Sequence, residues 1–157
     1  MTRTLVLIAI VAGTWAAAGP AGARDAAGSG LQAAERAQAP ATLTVRSTRF
    51  GRILFDGRNR VLYGFTRDRR GGPSQCYGAC AAAWPVYFAR GAATAGAGVR
   101  KSLLGKTRRR DGRLQVTYNG WPLYYYVHDG PGEVSCQNVD EFGGLWLVIG
   151  PNGTLVR

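Results

Sequence analysis

Leu123-Tyr124-Tyr125-Tyr126-Val127-His128-Asp129 is the second of two copies of one pattern. The first is Leu62-Tyr63-Gly64-Phe65-Thr66-Arg67-Asp68; both read Leu, Tyr, any residue, aromatic, two residues, Asp. Each copy runs on through a Gly-, Pro- and Ser-containing turn to a cysteine, Cys76 eight residues after Asp68 and Cys136 seven after Asp129. Each then reaches a tryptophan, Trp84 or Trp146. Upstream, Phe55-Asp56-Gly57 leads into the first copy as Tyr118-Asn119-Gly120 leads into the second. Self-similarity of this kind marks an internal duplication, whose single unit cannot bury its apolar face alone.

The local patterns around both copies have the period of strands. Leu43-Thr44-Val45 alternates, and Phe50 with Ile53-Leu54-Phe55 gives a short apolar strand. Asp56-Gly57-Arg58-Asn59-Arg60 reads as a polar turn and Val61–Thr66 as the return strand, a hairpin signal. Leu114–Tyr118, the Asn119-Gly120 turn and Leu123–Val127 repeat the arrangement. Asn-Gly suits a tight hairpin because both turn residues need positive φ. Cys76–Trp84 has room for a short helix stopped by Pro85. Residues 90–98 read as a Gly/Ala linker, Val99–Arg113 as a basic segment and Cys136–Glu141 as irregular. The expected fold class is mainly β, with two hairpin-based internal repeats packed as one pseudo-twofold domain. Repeat one spans 43–90 and repeat two 106–157.

A length of 157 residues suits one such domain. Arg3, the apolar run Leu5–Ala12 and the small residues Ala21-Gly22-Ala23 predict a signal peptide over 1–23. The apolar run is shorter than the roughly 20 residues a membrane span needs, so no transmembrane span is expected in the mature chain. No cysteine lies near this segment, so lipid attachment through an N-terminal cysteine is not expected. Residues 24–42, rich in Ala, Gly and Gln, read as a disordered tether. The implied location is secreted or periplasmic, an oxidising setting in which paired cysteines persist as disulfides. The chain has three cysteines, so one is left over. Its formal charge of +11 comes mostly from arginine and favours anionic surfaces or, more simply, solubility.

The residues also resemble a known family, the bacterial "secreted repeat of unknown function" proteins, also described as predicted lipoproteins with a Tyr-x-[Phe/Trp/Tyr]-x-x-Asp motif. Tyr63–Asp68 and Tyr124–Asp129 both fit that motif. Cys76–Pro85 is similar to the family's Cys-x-x-x-Cys-Ala-x-x-Trp-Pro segment, and Tyr118–Tyr124 to its Tyr-x-Gly-x-Pro-Leu-Tyr segment. The lipoprotein label does not carry over without a lipidation cysteine, and Cys136-Gln137-Asn138 stands where many members have Gly-Gln-Gly. The family brings no defined activity.

Several residues are candidates for chemistry. Cys76 and Cys80 can pair across a tight turn but are poorly placed for it on a helix. A bond between the equivalent Cys76 and Cys136 would close a loop of about 60 residues, worth roughly 4 kcal/mol on the chain-entropy model. The family resemblance implies Cys76–Cys80, leaving Cys136 free or able to exchange. A site drawing on these cysteines and His128, the lone histidine, would suit a soft metal, but oxidation tends to consume the thiols and a surface histidine is the simpler reading. Tyr63, Phe65, Tyr124 and Tyr126, with Asp68 and Asp129, are candidate ligand-binding residues: the rings can stack on a planar ligand and the carboxylates can bind a cation or move a proton. Against this, aromatics two apart on a strand usually pack in a core, and an Asp at a strand end usually caps a turn. Arg108, Arg109 and Arg110 are candidate anion-binding residues, although no aromatic interleaving or nucleic-acid fold accompanies them.

No Ser-His-Asp pattern, P-loop or dinucleotide fingerprint is present. A non-enzymatic binding or interaction module of the envelope or extracellular space is therefore expected, with no cofactor, no metal and no specific nucleic acid. Its partner would be an unknown small ligand or envelope protein. The alternative is a thiol-redox or metal-handling protein using Cys76, Cys80 and Cys136.

Overall fold

The computed structural model describes residues 41–89 and 91–157. The expected signal segment, and the expected tether up to residue 40, lie outside the described residues. Ala41 is already buried and Thr42 opens the first strand.

Among the described residues, nine short strands form three three-stranded sheets. In the first, β1 (Thr42–Thr48) pairs antiparallel with β2 (Gly51–Asp56) and parallel with β4 (Thr94–Ala95). In the second, β9 (Gly144–Val148) lies between β3 (Tyr63–Phe65) and β8 (Val139–Glu141), antiparallel to both. The third orders β5 (Leu104–Arg108), β6 (Leu114–Tyr118) and β7 (Trp121–Pro122), all antiparallel. One five-residue helix, α1 (Ala79–Ala83), and a 3-10 turn at Lys101–Leu103 complete the described elements.

Matched backbone bonds reveal the pseudo-twofold. Leu62 N–H donates to the Leu54 carbonyl at 3.1 Å, as Leu123 donates to Val116 at 3.0 Å. Leu54 N–H donates to Ile149 and Val116 N–H to Tyr87, at 2.9 and 3.0 Å. Thr66 N–H donates to Leu145 and Val127 N–H to Ala83, at 2.9 and 3.0 Å. On the axis, Tyr63 and Tyr124 exchange both backbone bonds, at 2.9 and 3.0 Å.

The last strand of each half crosses over. β9 of the second half pairs with β3 of the first, and Val86 of the first half bridges to Tyr124 of the second. Burial on both faces of β2 explains its continuous apolar run. Ile53 and Phe55 face one core cluster, with Trp84 and Trp146, while Leu54 faces another, with Tyr118 and Leu123.

Three segments differ from the sequence expectation. The basic stretch holds β5, whose Lys106 and Arg108 point outward while Gly105 and Thr107 are half-buried; with no large apolar residue at those positions, the alternation is faint. The Gly/Ala linker contributes β4, and Val45 N–H reaches Ala97. The stretch Cys136–Glu141 ends in β8. In addition, Leu123–Val127 leaves β6 after Leu123 and turns to Tyr63 and Val86 instead of continuing the hairpin.

Candidate functional site

The two signature motifs meet at the centre of the molecule and bond to each other. The Tyr63 hydroxyl donates to Asp129 Oδ2 at 2.7 Å, and the Tyr124 hydroxyl donates to Asp68 Oδ2 at 2.6 Å. Each tyrosine thus binds the aspartate of the opposite repeat. The other carboxylate oxygens close loops: Asp68 Oδ1 accepts Gln75 N–H at 2.7 Å and Asp129 Oδ1 accepts Ser135 N–H at 3.1 Å. Tyr63, Phe65 and Tyr124 have no exposed surface, and Asp68 and Asp129 keep only 4% and 5%. Burial, reinforced by the facing carboxylate, pushes both tyrosine hydroxyls well above their ordinary range. Burial also raises the Asp68 carboxyl to about 6, against the opposing pull of the Tyr124 hydroxyl, Gln75 N–H and Arg109.

Beside this clasp the motif aromatics and the two tryptophans stack. Phe65 lies on Trp146 at 4.1 Å and 4°, Trp146 on Trp84 at 3.9 Å and 3°, and Trp84 beside Tyr126 at 4.9 Å and 41°. Equivalent rings of the two halves thus alternate about the axis. Tyr63 and Tyr124 meet Trp84 and Trp146 edge-on, at 5.2 and 5.1 Å. Such geometries follow the ring quadrupole and contribute about 0.5–1.5 kcal/mol per pair beyond burial. Of the six candidate ligand-binding residues only Tyr126 is partly open to solvent; its ring touches the exposed His128.

Cys76 and Cys80 form a disulfide, and Cys136 is a free, half-buried thiol. Burial pushes the Cys136 thiol up, only partly offset by its hydrogen bond with Tyr126. Among the described residues no group of three or more His, Cys, Asp or Glu is arranged to hold a metal ion.

The three candidate anion-binding arginines part company. Arg109 is buried and spans the halves, donating to Ser74 Oγ at 2.6 Å, the Cys76 carbonyl at 2.8 Å and Gln115 Oε1 at 3.0 Å. Ser74 in turn lies 2.7 Å from the Tyr124 hydroxyl, so Arg109 belongs to the clasp. Arg108 and Arg110 are exposed; the first bonds the Gly112 carbonyl and the second covers the Tyr77 ring at 3.7 Å.

Sequence reasoning passed over two residues. Tyr125 fills the variable motif position and donates to Asp56 Oδ2 at 2.8 Å, whereas its counterpart Gly64 leaves no room for a Cβ beside Leu155. Phe142 is an exposed ring at the apex of the β8–β9 hairpin, with φ of 56°. The Phe-Gly pair at that apex carried no turn signal comparable to Asn-Gly.

Fold and centre together define a duplicated β protein closed by its own signature residues. A family model described as a secreted repeat of unknown function matches twice, over residues 44–87 and 106–149, and the chain belongs to that family. Neither the curated proteins nor the solved structures contain a match to it.

Proposed function

We propose that the protein is an exported, non-enzymatic binding or interaction module of the cell envelope or extracellular space. The observation that carries this reading is the reciprocal clasp. Tyr63, Tyr124, Asp68 and Asp129 spend their polar groups on one another and on loop closure, away from solvent. Groups held in this way specify a scaffold, and recognition falls to the rim of loops and hairpin ends around it. A thiol-redox role through Cys76, Cys80 and Cys136 has less support. Burial moves the Cys136 thiol away from the low pKa that an attacking thiolate needs.

The test is native mass spectrometry of the full chain after incubation with envelope extract and culture supernatant from its host. A stoichiometric adduct that dissociates unchanged is expected. Release of a species chemically different from the one that bound would overturn the reading.

A further inference from the structure

The two halves differ where the first has helix α1 with its disulfide and the second has the β8–β9 hairpin. Between these elements lies a cleft of about 410 Å³ lined by Arg67, Gln75, Tyr77, Cys80, Phe142 and Gly143, among others. No acidic residue is among those lining it. Phe142 is one of two large apolar side chains left exposed among the described residues, and it holds a left-handed backbone conformation that favours Asn or Gly. The sequence thus places a ring where the turn disfavours one and leaves more than a third of it open to water. Strain of this sort gathers at ligand clamps.

Arg67 is exposed beside it and donates to the Phe142 carbonyl at 3.1 Å, which uses one of its five donors. Tyr77, on the cleft wall, carries the exposed Arg110 guanidinium over its ring at 3.7 Å, whereas the buried Arg109 is paired with Asp111 at 3.6 Å.

We propose that this cleft binds a small molecule with a flat ring face and an anionic group, the ring resting on Phe142 and the anion on Arg67. The proposal rests on the binding reading above and names the ligand chemistry. A planar ring stacks on phenylalanine, and a carboxylate matches the guanidinium fork. Aromatic acids and acidic sugars share that chemistry.

Amide shifts of the 15N-labelled full chain, titrated with benzoate and with galacturonate, separate the two sources. Benzyl alcohol and acetate supply the ring or the charge alone. One of the acids should move the amides of Arg67, Phe142 and Gly143 saturably, with the half-ligands at least about tenfold weaker. Phe142→Asn preserves the turn geometry and should weaken binding at least about tenfold, as should Arg67→Gln. Val127→Asn, at the other exposed apolar side chain, should leave binding unchanged. The proposal is overturned if neither acid saturates by about 50 mM, or if Phe142→Asn binds like the parent chain. A host adduct captured equally by Phe142→Asn would also overturn it, while leaving the binding reading intact.

Discussion

Tyr63 and Tyr124 contribute to stability through single hydroxyls that face carboxylates across the pseudo-twofold. Replacing either with Phe keeps the ring and strands a buried acceptor, a loss of about 1–3 kcal/mol. Urea melts of Tyr63→Phe and Tyr124→Phe should show it without a change of fold. Asp68 adds a pH signature. Its folded pKa of about 6 lies above the ordinary 3.8, so the folded state holds the proton more tightly. The contribution is therefore fully present below about pH 4 and lost as pH rises through 6, a change on the order of 3 kcal/mol. The stability difference between parent and Asp68→Asn, measured from pH 4 to 7, should carry that slope; a constant difference would refute the assignment. The turn-closing part of each aspartate was legible from its place at a strand end. That its tyrosine partner sits in the other copy was not, because spacing within a motif carries no information about contacts between motifs.

Two turns show what hairpin chemistry reveals and hides. Asn119-Gly120 joins β6 to β7 with φ of 49° and 80°, and its residue types announce the geometry. Phe142-Gly143 joins β8 to β9 with φ of 56° and 79°, and its residue types do not. Phe142→Asn should accordingly stabilise the fold by about 1 kcal/mol, seen as a melting temperature a few degrees higher. A melting temperature equal to or below the parent's would show that the ring adds packing that offsets its backbone strain. β5 escaped notice for a different reason. Its outward positions are Lys106 and Arg108 and its inward ones Gly105 and Thr107, so charge stands out and apolar period does not.

At the scale of the molecule, the duplication and mainly β class were legible because one signature recurs with its turn, cysteine and tryptophan in the same order. The crossing of terminal strands was not, since a sequence repeat says that units are alike and not which unit completes which. β3 has its sheet partner in the second half, and Tyr124 has one of its own in the first. The fragments 43–90 and 106–157, expressed separately, should each lack native sheet signal by circular dichroism and regain it when mixed. A fragment that folds alone would contradict this account.

That mutual completion bears on descent. A half-length forebear with this strand exchange would have been stable only as a symmetric homodimer, its assembly dependent on concentration. Fusing two copies into one polypeptide removes that dependence and releases each half from being identical to the other. Divergence then becomes affordable at one end, where a helix with a disulfide now stands opposite a hairpin tipped by an aromatic ring.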